Sequence, residues 1–273
     1  GCTGGDDEQV GGGAIDHVAL LARECLAAAR FPGCECDVEG IVVRAFIDRT
    51  STFYPSDAAR RTIAEQRAVY DGMCAAFDAP RPPGVATEDR LIGGVPCRVY
   101  AAAPSPVTVI HFHGGGFVVG GLHSHDAICA EICAATGFRV VSVDYRLSPE
   151  HPHPAAFDDA MAVTRAVAAT GARILLAGDS AGANLAAAVA HATRGTVPVA
   201  GQVLIYPGLG GDLNRGSYLT HAHAPMLTRD DILFYAGIRY PDGARPKAPD
   251  PTALPLDDTD FTGLPPTVCF SAE

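Results

Sequence analysis

No apolar run in this sequence approaches the roughly 20 residues of a bilayer-spanning helix, which excludes such a span within it. The first residues are acidic and glycine-rich, unlike the basic start and apolar middle of a secretory leader. Positive charge is scarce: 20 Lys and Arg against 31 Asp and Glu leave a net charge of −11. No basic patch is available to replace phosphate counterions, so nucleic acid is excluded as a partner. Zinc pairs are also missing. Cys34 and Cys36 stand closer than the usual spacing of two to four intervening residues, and no second pair accompanies them. The odd count of nine cysteines argues against a closed disulfide set and points to free thiols in a reducing cytoplasm. Cys129 and Cys133 lie one helical turn apart and read as a buried helix face. No internal repeat is present. With 48% hydrophobic and 19% charged residues over 273 positions, the composition is that of a well-packed globule with one large core.

Residues 1–13 are polar and glycine-rich, and helical spacing follows at Ile15–Arg30 and Asp57–Phe77. Pro80–Gly84 reads as a linker. Beyond it, Thr87–Ile92 and Cys97–Ala101 flank Gly93-Gly94 as an antiparallel hairpin. Strands are then predicted near 107–112, 139–145, 173–178, 202–206 and 266–271, with helices near 124–136, 155–169 and 181–193. This alternation specifies an α/β chain with a mostly parallel central sheet flanked by helices. The stretch 208–251 breaks the rhythm and carries a helix capped by Thr228.

Chemistry concentrates in two stretches. Gly178-Asp179-Ser180-Ala181-Gly182 joins an apolar strand to a helix of small residues. A G-x-S-x-G turn of this kind strains the backbone so that the serine hydroxyl stands clear of the sheet. Upstream, His113-Gly114-Gly115-Gly116 follows the strand-like Val107–Phe112. Three glycines after a strand leave amide N–H groups bare, able to meet a developing oxyanion. Either motif alone has a bland reading, as a chance match or a flexible loop. In this order, each at a strand end, they support one another.

The sequence resembles the hormone-sensitive-lipase family of α/β-hydrolases, a group of carboxylesterases and lipases. The resemblance rests on H-F-H-G-G-G-F at 111–117, V-D-Y-R-L-S-P-E-H-P-H-P-A-A at 143–156 and G-D-S-A-G-A-N-L-A at 178–186. L-I-Y-P at 204–207 and G-L-P-P at 263–266 also match, and the similarity runs from about Thr87 onward. Ala183 and Ser148 stand where a glycine and an alanine are common. The resemblance implies an α/β-hydrolase fold with a helical cap, Ser180 as nucleophile, and Gly115, Gly116 and Ala181 as oxyanion-hole amides. It implies small-molecule esters of short-to-medium acyl chains as substrates, and no metal or organic cofactor. Residues 1–84 would form a helical cap segment and 85–273 the hydrolase core, with a cap insertion near 210–240. Relatives pair through the final strand of the sheet, so the resemblance allows a homodimer; that strand is not part of this sequence.

In the family, an acid and a histidine follow the serine in the chain. The acid follows an E-x-D-P-L-like motif, of which Glu273 is the first residue here. The resemblance therefore places the acid, the histidine and the last strand and helix of the core beyond Glu273, in a further C-terminal segment. None of the ten histidines stands at the family's position for the base. His113 reads as support for the glycine loop, His123 and His125 open a helix, and His151 and His153 sit in a proline-rich loop. His191 lies late on the helix after Ser180, and His221 and His223 read as a solvated loop rather than a metal pair. Without an adjacent base a serine hydroxyl is a weak nucleophile. Two rival readings remain open on these residues. One is a non-catalytic small-molecule binding protein on the same fold, as in plant gibberellin receptors. The other is an amidase or peptidase using the same serine.

Overall fold

The computed structural model describes residues 38–55, 61–240, 242 and 245–271. Two helices come first, α1 (Val38–Ser51) and α2 (Ile63–Phe77). A hairpin follows, β1 (Ala86–Ile92) and β2 (Val95–Ala101), turning at Gly93-Gly94. Then β3 (Val107–Phe112), α3 (Asp126–Thr136), β4 (Arg139–Val143), α4 (Ala155–Ala168), β5 (Arg173–Asp179), α5 (Ala181–Thr193) and β6 (Val199–Ile205) alternate. Short α6 (Ser217–Thr220) and α7 (Arg229–Arg239) intervene before β7 (Thr267–Phe270).

The strands make one seven-stranded sheet in the order β1-β2-β4-β3-β5-β6-β7. The two pairings involving β2 are antiparallel and the other four are parallel. Alternation along each central strand supplies both faces, because successive side chains point opposite ways. Ile110 and Phe112, Val141 and Val143, and Ile174 and Leu176 pack with α4 and α5 on one face. Val109, Val140 and Ala177 pack with Cys129 and Cys133 of α3 on the other. Both cysteines are fully buried, as their spacing predicts, whereas neighbouring Ile128 is half exposed.

Several boundaries depart from the sequence reading. The second helix begins at Ile63 rather than Asp57. Thr62 stops it with a reciprocal cap, accepting from Glu65 N–H at 3.3 Å while its own N–H donates to Glu65 Oε2 at 2.9 Å. The helix α1 was not anticipated; Phe46 packs on Phe77 of α2 with ring centroids 5.1 Å apart. The strand predicted near 266–271 is parallel to β6 and lies at the edge of the described sheet. Val268 and Phe270 are 52% and 57% exposed. The helix expected at Ile15–Arg30 and the Cys34–Cys36 pair fall outside the described residues. Among the described residues no helix is long and apolar enough to cross a membrane.

Candidate active site

The helix α5 is an unusually close neighbour of the sheet because its first turns are built from Ala and Gly. A Cβ on Gly182 would run into the Phe112 carbonyl oxygen, and one on Gly178 would come within 2.5 Å of the Gly182 carbonyl carbon. Only hydrogen fits at either place. That contact fixes where the chain must turn, and the residue at the turn is Ser180. Its φ of 51° and ψ of −113° lie where L-residues seldom go. The Ser180 N–H donates to the Ile205 carbonyl of β6 at 2.9 Å, and the Ser180 carbonyl accepts from Asn184 N–H at 3.1 Å. Ser180 is half-buried and lines an open cavity of about 1350 Å³. Its hydroxyl has no hydrogen-bond partner among the described residues.

Gly115, Gly116 and Ala181 line the same cavity as Ser180. None of their three amide N–H groups meets a protein acceptor among the described residues. The loop that presents the two glycines is held by Val118 and Val119 N–H donating to the Gly115 carbonyl, both at 3.0 Å. The Tyr235 ring of α7 packs against Gly116, its Cγ 2.8 Å from where a Cβ would stand. Gly114 faces elsewhere: its N–H donates to Asp179 Oδ1 at 3.1 Å.

Asp179, which sequence reasoning passed over, ties the two motifs together. The same Oδ1 accepts from His125 Nε2 at 3.1 Å. Since a carboxylate can only accept, Nε2 carries the proton there. His125 Nδ1 meets the Ser124 hydroxyl at 2.9 Å, so both ring nitrogens are engaged away from Ser180. Burial works to raise the Asp179 pKa, but the His125 hydrogen bond and the neighbouring imidazoles outweigh it and hold the carboxyl below its usual range. The x of G-x-S-x-G gives no hint of this role; only the fold brings it beneath the glycine run.

His113 supports the loop, as its position predicts. It is fully buried, its Nδ1–H donates to the Gly114 carbonyl at 2.7 Å, and it stacks on Tyr145 with centroids 4.2 Å apart. The Tyr145 hydroxyl donates to the His113 carbonyl at 2.6 Å. Burial, with the His125 ring beside them, drives His111 down to about 4 and His113 to about 3. Both are neutral at physiological pH. Three other histidines are engaged elsewhere: His123 with Asp71 at 2.7 Å, His153 with Asp250 at 3.2 Å and His191 with Asp258 at 2.8 Å, while His151 is exposed. His221 and His223 are exposed. Among the described residues no group of three or more His, Cys, Asp or Glu has metal-binding geometry.

The cavity wall opposite the sheet comes from α1, α2 and α7, with Phe46, Tyr54, Tyr70, Phe77, Phe234 and Tyr235 among its members. Tyr54 is pushed up to about 12, and Tyr70 further still, chiefly by burial. These phenols therefore stay protonated. Arg67 fastens α2 to the core: Nε donates to the Val118 carbonyl at 2.8 Å, Nη2 to the Ser148 carbonyl at 3.0 Å, and both Nη atoms to Glu150 at 2.9 and 2.7 Å.

Residues 109–273 match the α/β hydrolase fold family. Over 213 residues the chain is 37% identical to carboxylesterase NlhH of Mycobacterium tuberculosis, covering 70% of this chain. The match spans 66% of that relative, so the chain represents just under two thirds of its length. Among solved structures, the hyperthermophilic esterase from the archaeon Pyrobaculum calidifontis superposes with a TM-score of 0.75 at 30% identity. That superposition covers 85% of this chain and 79% of the esterase. An esterase from the bacterial hormone-sensitive lipase family gives a TM-score of 0.70 at 31% identity, over 82% and 76% of the two chains. The chain belongs to the α/β-hydrolase fold family and, within it, to the hormone-sensitive-lipase type.

Proposed function

We propose that this chain carries the nucleophile and oxyanion hole of a carboxylic ester hydrolase acting on short-to-medium acyl esters. The observation that supports it most is the juxtaposition at the elbow. A strained serine with an unengaged hydroxyl opens onto the same cavity as three acceptor-free amides. Ser180 Oγ attacks the ester carbonyl, and the tetrahedral oxyanion is received by the N–H groups of Gly115, Gly116 and Ala181. The alcohol leaves, and water releases the acid from the acyl-serine. No described histidine addresses Ser180, so the reading assigns the proton-accepting histidine and its acid to residues outside the described ones. No metal or organic cofactor takes part. The helices of residues 1–84 and the insertion near 210–240 act as a cap that excludes water from the acyl group. On this reading the enzyme is cytoplasmic, with free thiols.

Ser180→Ala in the full-length protein abolishes hydrolysis of p-nitrophenyl butyrate, and a radiolabelled organophosphate labels the wild type but not the variant. Hydrolysis that survives the substitution refutes the assignment. The unengaged hydroxyl also fits a binding protein on the same fold. Tight ester binding without p-nitrophenol release would select that reading.

A further inference from the structure

The candidate cavity contains a buried cation with no carboxylate against it. Arg239, the last residue of α7, is 7% exposed and lines the cavity. Its Nη2 donates to Asn184 Oδ1 at 3.2 Å, and its guanidinium sits 3.6 Å from the Phe117 ring centroid and 5.4 Å from that of Tyr240. Its Nε and Nη1 have no protein acceptor among the described residues, yet neither is sealed in the interior as an unsatisfied buried atom. Burial lowers the Arg239 pKa to about 10, which leaves it charged at neutral pH. Asp250 acts on Arg239 through space, but its oxygens are hydrogen-bonded to His153 and Thr252; Asp179 is held by His125 and the Gly114 amide, and Asp231 by the Thr228 cap. A second guanidinium, Arg245, lines the same region; its Nη1 donates to the Gly211 carbonyl at 2.7 Å and its Nη2 lies beside Gly210. A buried guanidinium with no hydrogen-bonded carboxylate costs free energy that a ligand carboxylate would offset.

Resting on the ester-hydrolase reading above, we propose that Arg239, assisted by Arg245, binds a carboxylate on the substrate, so that the preferred esters are monoesters of short dicarboxylic acids. The planar fork of a guanidinium matches a carboxylate with two parallel hydrogen bonds. Reach is set by α5. Asn184, which holds Arg239, follows Ser180 by four residues, about 6 Å along the helix axis. An anion on Arg239 is thus separated from a carbonyl at Ser180 by a chain of a few carbons, as in a hemisuccinate or hemiglutarate. Phe117, Tyr240 and Leu254 give those methylenes an apolar wall.

The test compares kcat/KM of the full-length protein for p-nitrophenyl hemiglutarate and for the neutral p-nitrophenyl pentanoate. The wild type favours the anionic ester by about tenfold or more, the worth of one charge-assisted contact. In Arg239→Met that ratio falls to near one, and Arg239→Lys restores part of it. A merely structural role lowers both rates in parallel and leaves the ratio unchanged, which overturns the proposal. Calorimetric titration of Ser180→Ala protein with monomethyl glutarate against methyl pentanoate reads the same preference without turnover. Loss of the preference in both assays, with Ser180-dependent hydrolysis of the neutral ester intact, sinks this inference alone. Hydrolysis persisting in Ser180→Ala sinks the ester-hydrolase reading instead, and the calorimetry still judges Arg239.

Discussion

Acidification from pH 7.5 to pH 5 should remove about 4 kcal/mol of folding stability through two histidines beneath the glycine loop. His111 and His113 are 2% and 0% exposed, and burial holds their folded pKa values near 4 and 3 against an ordinary 6.5. A depressed histidine favours the neutral form, so its stabilisation is complete above pH 6.5 and lost as pH falls toward the folded value. At pH 5 an unfolded imidazole is about 97% protonated, while the folded rings have scarcely begun to titrate. The difference, RT ln of the ratio of the two binding polynomials, is about 2 kcal/mol for each ring. Asp126, Asp179 and Asp258 are held below their ordinary range and stay ionised at pH 5, while burial raises Asp144 and lowers His153, two effects of opposite sign on stability in this window. With no tryptophan in the chain, urea unfolding is best followed by far-UV circular dichroism. The unfolding free energy should drop by about 4 kcal/mol between the two pH values with the urea slope unchanged. In His113→Gln the pH-dependent part should fall by about half, whatever the variant's stability at pH 7.5. A midpoint that does not move between pH 7.5 and 5 would refute the argument, because it would mean that these rings are not held neutral by burial.

Three substitutions probe the rest of the frame. Gly182→Ala forces a Cβ into the Phe112 carbonyl and should cost about 1–3 kcal/mol, seen as a lower melting temperature; an unchanged melting point would mean that α5 and β3 are not in contact there. Asp179→Asn weakens the acceptor shared by Gly114 N–H and His125. It should reduce p-nitrophenyl butyrate hydrolysis at least as strongly as it reduces stability, by about 1–3 kcal/mol; full activity would free Asp179 of any part in shaping the loop. Arg67→Met leaves the Val118 and Ser148 carbonyls and Glu150 without their donor. A loss of about 1.5–3 kcal/mol is expected in thermal unfolding, and none would show that α2 docks without this latch.

Legibility in the sequence followed the range of the forces involved. The strand β3 and the helix α5 begin and end where their residues predict, because an apolar run, a glycine-bounded turn and a small-residue stretch are local signals. The start of α2 was readable too, from Thr62-x-x-Glu65, but helical periodicity carried the prediction back to Asp57 past that cap. The helix α1 carries Ile41, Val42 and Val43 in succession, a β-branched run that argues against a helix. Its visible anchors are tertiary: Phe46 on Phe77, and Arg49 Nη2 donating to the Ala76 carbonyl at 2.8 Å. At the site, Ser180 and the amide-bearing residues announce themselves by motif. Asp179, His125 and Arg239 do not, since their significance comes from burial and from neighbours dozens of residues away.

One pair of backbone links has a consequence for motion. Ser180 N–H is fastened to Ile205 at the end of β6, and the next residue, Tyr206, donates to Phe270 of β7 at 2.7 Å. The Ser180 turn is thus moored to the outermost rungs of the ladder rather than to its middle. Fraying there travels two bonds inward to the hydroxyl, so deuterium uptake at the Ser180 amide should keep pace with that at Tyr206.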